Sequence, residues 1–355
     1  MGGEAQSAIE LKVMPDAATY RELLALSPPD FPLDPKTEGV FEADGLVIER
    51  ISFAVSSNER TPGYFARPKN ADGPLPAVVA LHCHGGFYAY GKEKIIPGPS
   101  DAASVAAYRG ELYAGQAYGV ELAKRGFCVL AIDCHYFGER RRDDLVPPET
   151  WESIEAAGGV GSLEGASILN QRFIAAEHLV QKELLAVGKI WPGVILAEDI
   201  RSVDYLLTRP EVDSHRIGCI GLSLGGFRSA ALAGMDSRIQ AAVVIGWMTD
   251  FADLGFVYAN RHTWMVHVPR MTSHGDLTGL TSLHAPKPLL VQQCAHDNLF
   301  PLDGMERACR RLAENYEAAG SPQMFEGRFY DCPHEFSVPM QAEAFDWLER
   351  HLGTE

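Results

Sequence analysis

Basic residues are scarce: 31 Lys and Arg stand against 47 Asp and Glu, a formal net charge of −16 over 355 residues. Binding a polyanion depends on clustered cations, so this balance excludes an extended nucleic-acid surface and favours neutral or cationic small molecules. The one basic run, Arg140-Arg141-Arg142, is bracketed by Glu139, Asp143 and Asp144, which balance it locally. No stretch approaches the roughly 20 apolar residues of a membrane helix. The opening MGGEAQSAIELKVM also lacks the apolar core behind basic residues that marks a secretory signal. A cytoplasmic protein with no membrane partner is expected. No CxxC pair occurs among the seven cysteines, at 83, 128, 134, 219, 294, 309 and 332. An odd number scattered through apolar runs suits free thiols better than a disulfide framework or a zinc cluster. Internal repeats and low-complexity tracts are absent too, which excludes a solenoid.

What is present is an alternation of strands and helices. Residues 1–45 read as an N-terminal extension, with helical promise at 18–26 and a Pro-rich stretch at 28–35; such an arm could mediate homodimer contacts. Residues 46–355 read as one catalytic domain. Runs at 46–55 and 62–66 predict an antiparallel pair at a sheet edge. Short apolar runs at 77–83, 127–133, 217–222, 239–245, 288–293 and 324–330 are mostly continuous rather than alternating, as strands buried on both faces must be. Helices are predicted at 102–125, 168–207, 225–233, 302–319 and 340–352, giving an α/β, mostly parallel, doubly covered sheet. Insertions at about 143–195 and 249–283 are too long for ordinary connections and predict helical caps.

Within this pattern, Gly221-Leu222-Ser223-Leu224-Gly225 joins a strand to a helix. The five-residue pattern is weak by itself, but this context is what a nucleophilic serine needs. A sharp turn projects the hydroxyl, and small residues on either side avoid the neighbouring strand and helix. The alternative role of Ser223 is a plain turn or helix cap. A serine hydroxyl needs a base, and the base needs a carboxylate to fix its tautomer. His334, in the loop Asp331-Cys332-Pro333-His334-Glu335-Phe336 after the last strand, falls on the same rim as Ser223. His296 is a competitor adjacent to the best acid, and His284 precedes a strand and so falls at the opposite end. Asp297, after the strand at 288–293, is the expected acid, with Asp250 as its rival.

The oxyanion that forms on attack needs two backbone donors. Leu224 supplies one, and Gly86 in His82-Cys83-His84-Gly85-Gly86-Phe87 is the choice for the other, with Gly85 or Phe87 as alternatives. His82 and His84 share a strand face, yet no third metal ligand follows at a recognisable spacing, so neither metal nor cofactor is expected. Phe87 and Trp247 are candidate substrate contacts, and Trp191, Phe251, Tyr258 and Trp264 are candidate pocket walls.

LHCHGGF, FCVLAIDCHYFGER, DIRSVDYLLTRPEVDSHRIGCIGLSLGG, HDNLFP and CPHEF, spread over residues 76–352, resemble the dienelactone hydrolase and acetyl xylan esterase-like branch of the α/β hydrolases. The resemblance extends to prolyl oligopeptidase catalytic domains. It implies the α/β-hydrolase fold, the same Ser223, Asp297 and His334 assignments, and a small-molecule ester as partner. Two positions depart from it. Ser223 stands where dienelactone hydrolases typically carry cysteine, and Leu224 where the acetyl xylan esterases typically carry glutamine, which weakens both specificities. The expected function is therefore a serine carboxylesterase for short-acyl esters working through an acyl-enzyme. The other readings are an oligopeptidase-like peptidase or amidase, for which the extension is too short to be the usual propeller, and a hydrolase-like binding protein without turnover.

Overall fold

A computed structural model describes residues 16–353. Nine strands form one sheet: β1 Lys36–Ala43, β2 Leu46–Ala54, β3 Arg60–Pro68, β4 Leu75–Leu81, β5 Cys128–Ile132, β6 Val212–Leu222, β7 Ile239–Ile245, β8 Leu289–Cys294 and β9 Phe325–Tyr330. Their spatial order is β1-β2-β3-β5-β4-β6-β7-β8-β9. The first three strands pair antiparallel, β3 meets β5 antiparallel, and every later pairing is parallel.

Burial follows the sequence pattern. β5, β7 and β8 are buried or nearly so along their length, as unbroken apolar runs dictate, and the edge strands β1 and β9 are largely exposed. Adjacent residues of β6 show the two covered faces. Gly218 lies against Leu348 and Leu352 of the helix Val338–Leu352, whereas the Cys219 thiol meets Ser229 of the helix Leu224–Met235.

Three sequence expectations change. β1 falls inside the stretch read as an extension, so the sheet begins before residue 46; its exposed Lys-Thr-Glu-Gly pattern carries no apolar alternation, and its charges suit an unpaired edge. Residues 1–15 of that extension lie outside the described residues. The helix expected at 102–125 is two, Ala103–Leu112 and Tyr118–Lys124, because Ala114 and Gly115 take left-handed φ. The one expected at 168–207 is likewise two, Leu163–Ala186 and Trp191–Leu206, separated at Gly188 with φ 71°. The first of these, with Pro148–Ala156 before it, makes up the earlier insertion; Phe251–Ala259 and Asp276–Ser282 lie in the later one.

The crossovers position the site. From β4 the chain moves to β5 on one side, then crosses back to β6 on the other, so the connections leaving β4 and β6 diverge at their carboxyl ends. A crevice opens at such a switch point, and Ser223 and the Cys83–Gly86 loop flank it.

Candidate active site

Ser223 directly follows β6 with φ 59° and ψ −120°, a conformation that side-chain-bearing residues rarely adopt. Its N–H donates to Ile245 O at 2.8 Å, and its carbonyl accepts the Phe227 N–H at 2.9 Å, which starts the helix. The flanking glycines are required by contact. A Cβ at Gly221 would sit 2.5 Å from the Gly225 backbone, one at Gly225 would sit 2.1 Å from Leu81 O, and one at Gly226 would sit 2.5 Å from Ile245 O. The turn is thus wedged between β4 and β7, and the Leu224 N–H opens a helix with its positive end towards the turn.

His334 follows β9 and Asp297 follows β8, and their side chains meet: His334 Nδ1 lies 2.5 Å from Asp297 Oδ2. The other carboxylate oxygen accepts the Leu299 N–H at 2.8 Å, which fixes the acid. His334 Nε2 is buried with no hydrogen-bond partner among the described residues. Burial acts to lower the pKa of His334, but the bond to Asp297 and the nearby Cys83 outweigh it and push the imidazole up to about 9. Cys83 responds in the opposite sense: burial raises its thiol, and the adjacent His334 brings it down below the ordinary value.

The rivals are committed elsewhere. Asp250 accepts from Thr278 N at 2.8 Å and Thr278 Oγ1 at 3.0 Å and pairs with Arg311. His296 pairs with Asp331 at the surface, and His284 is held between the carbonyls of Ala233 and Pro288.

The expectation for Gly86 is corrected. Its N–H donates to His84 Nδ1 at 2.9 Å, because the His84 side chain folds back over its own turn. The Phe87 N–H is bonded to His84 O at 3.1 Å, whereas Gly85, weighed beside them, has an amide with no acceptor among the described residues. Nor are the two histidines free to share a metal. His82 Nε2 accepts the Cys134 N–H at 3.3 Å, with its Nδ1 3.1 Å from Cys83 O, and His84 Nε2 lies 2.8 Å from Glu177 Oε1.

Phe87 stacks between Tyr90 and Tyr108, and Trp247 packs edge-on to Phe227, His262 and Phe300, so both rings are buried in aromatic clusters. An open cleft lies nearby. That cleft, about 270 Å³, is bounded by Ile174 and Glu177 of one insertion and His262, Trp264 and His267 of the other. It borders the Cys83–Gly86 turn, since a Cβ on Gly86 would lie 3.7 Å from Ile174 Cδ1. His262 is within electrostatic reach of Asp297 and His334. Neither this cleft nor the larger concavities of about 440 and 610 Å³ are lined by Ser223, Asp297 or His334.

Several participants were not singled out from the sequence. Glu177 collects His84, Tyr88, Thr263 and the Trp264 amide, tying the cap to the turn after β4. Arg228 forms a two-pronged, fully buried pair with Asp199 at 2.6 and 3.0 Å under the elbow. A signal for it existed: it is the single charge in the Leu224–Met235 helix. Two buried lysines, Lys92 and Lys94, lie behind the turn after β4.

Residues 201–313 match the family described as BAAT / Acyl-CoA thioester hydrolase C terminal. The chain is 27% identical over 331 residues to YtaP of Bacillus subtilis (strain 168), described as a candidate hydrolase, with 93% of this chain and 96% of that one covered. A candidate acetyl xylan esterase from Bacteroides fragilis NCTC 9343 superposes with a TM-score of 0.68 at 16% identity, over 88% of this chain and 73% of that one. A glucuronoyl esterase from Solibacter usitatus superposes with a TM-score of 0.63 at 14% identity, over 96% and 95%. With its sheet order, its crossover and its strained serine between β6 and a helix, the chain is by fold an α/β hydrolase.

Proposed function

We propose that the chain is a serine carboxylesterase that cleaves short-acyl esters through an acyl-enzyme. The observation that carries this reading is the His334–Asp297 bond between the ends of neighbouring strands, with the far nitrogen of the ring left unpartnered. Ser223 Oγ attacks the ester carbonyl while His334 Nε2 takes its proton; the Leu224 N–H and an amide of the turn after β4 hold the oxyanion. Collapse expels the alcohol, which receives the proton from His334. Water then attacks the acyl-enzyme by the same route, with His334 as base again. Asp297 accepts the Nδ1–H of His334 and holds the ring in orientation.

A candidate acetyl xylan esterase among the superposing structures supports a short acyl group. No helix among the described residues is long and apolar enough to cross a membrane. All seven cysteines are unpaired, in keeping with a cytoplasmic enzyme. Thioesters form the second reading, raised by the family matched at 201–313, and the acidic balance of the chain disfavours the polyphosphate of a coenzyme A carrier.

Nitrophenyl esters of increasing acyl length, assayed beside an acyl-CoA and a peptide anilide, test the reading. The expected result is turnover highest at two to four acyl carbons and lost in Ser223→Ala; undiminished turnover in that variant sinks the proposal.

A further inference from the structure

Lys92 and Lys94 lie two residues apart, and both are fully buried, yet their surroundings differ. The Lys92 ammonium is neutralised by Asp133 at 2.9 Å, Glu93 at 2.8 Å and Glu139 at 2.7 Å. Lys94 meets no carboxylate among the described residues. Its Nζ donates to Cys83 O at 2.8 Å and to His84 O at 3.2 Å, and it lies over the rings of Phe137, Tyr108 and Phe87 at 4.6, 4.9 and 5.6 Å. Burial lowers its pKa to about 7, against the pull of Cys83, Cys134 and Asp133. An unpaired cation without a task is costly at such a site.

The two carbonyls show what the task is. In a trans peptide the C=O and the following N–H point in opposite directions. By gathering the oxygens of residues 83 and 84 on one side, Lys94 turns the N–H groups of His84 and Gly85 to the other. Of the five amides from Cys83 to Phe87, those of Cys83, Gly86 and Phe87 are bonded, to Tyr113 Oη, His84 Nδ1 and His84 O. The two whose carbonyl partners Lys94 holds have no acceptor among the described residues. The strand feeding this turn is pressed against the elbow, with Leu81 O 2.1 Å from where a Gly225 Cβ would lie.

We propose that Lys94 is a positioning residue of the oxyanion hole: its Nζ donors fix the peptide planes that aim the His84 and Gly85 N–H groups at the reacting oxygen. This rests on the esterase reading above. Losing an oxyanion donor lowers kcat by ~10²-fold or more while substrate binding is little changed. Lys94→Met in the full chain is therefore expected to lose ~10²-fold in kcat on a short nitrophenyl ester, with KM within about threefold. Affinity for a trifluoromethyl ketone, which forms a tetrahedral adduct on the serine, should fall by a similar factor. Lys94→Gln keeps N–H donors for the two carbonyls, so it should recover part of both losses; it also carries the test should Lys94→Met not fold. A folded variant with wild-type kcat and ketone affinity, or one altered only in KM, overturns the proposal. A wild-type chain that neither hydrolyses esters nor binds the ketone overturns the esterase reading and this proposal together. An active wild type with unaffected variants overturns this proposal alone.

Discussion

At Ser223 the backbone occupies a region worth about 1–3 kcal/mol of strain for a residue with a side chain. Glycine adopts that region freely, although it also loses more entropy on folding. Ser223→Gly should therefore unfold at higher denaturant than Ser223→Ala, by about 1 kcal/mol, with turnover lost in both; equal stability would remove the argument for strain. The acid gives a second contrast. Asp297→Asn leaves His334 in the wrong tautomer and should lower kcat by ~10³–10⁴-fold. Asp250→Asn disturbs Thr278 and Arg311, so its effect should fall on thermal stability and leave kcat within an order of magnitude of wild type. Steady-state kinetics on the two variants separates the roles. The base must be neutral, and His334 is pushed up to about 9 by Asp297 and Cys83 against the effect of burial. Because a raised pKa keeps the ring protonated to higher pH, kcat/KM should climb from neutral pH along a limb set near that value and be low in mild acid. Cys83→Ala removes one group that favours the imidazolium, so the limb should move to lower pH. A pH–rate profile that does not move would assign the upward shift to Asp297 alone.

At the scale of elements, the elbow works because three backbones meet where side chains cannot fit. Gly225→Ala puts a Cβ within 2.1 Å of a strand carbonyl and should cost about 1–3 kcal/mol, read as a lower denaturant midpoint; an unchanged midpoint would mean that β4 and the helix separate without penalty. This scale also shows how far the sequence could be read. β4 to β8 were legible because strands covered on both faces must be continuously apolar. β1 was not, because an exposed edge strand carries no such pattern. Single glycines at 115 and 188 separated what periodicity had merged into long helices. In the site, the positions of Ser223, Asp297 and His334 at the carboxyl ends of β6, β8 and β9 were legible, because each lies just beyond a parallel strand. Gly86 was misread because its amide is taken by the neighbouring His84 ring, a rotamer choice with no trace in the sequence. Lys94 contacts the turn after β4 from within the same loop and Glu177 from a distant helix, and neither sits at a strand end that would mark it.

For the molecule as a whole, the sheet's switch point sets where chemistry can occur, and the two insertions set what reaches it. Glu177 secures one insertion to the turn after β4 through His84 and to the other through Thr263, so the cleft wall and that turn are joined as one framework. The central claim is that Ser223 is the nucleophile of this framework. Its most direct measurement is treatment of the full chain with a fluorophosphonate, followed by peptide mass mapping. The account predicts a single stoichiometric adduct on the peptide carrying Ser223, suppressed in His334→Ala. An adduct on another residue, or an unlabelled chain that still turns over esters, would contradict it.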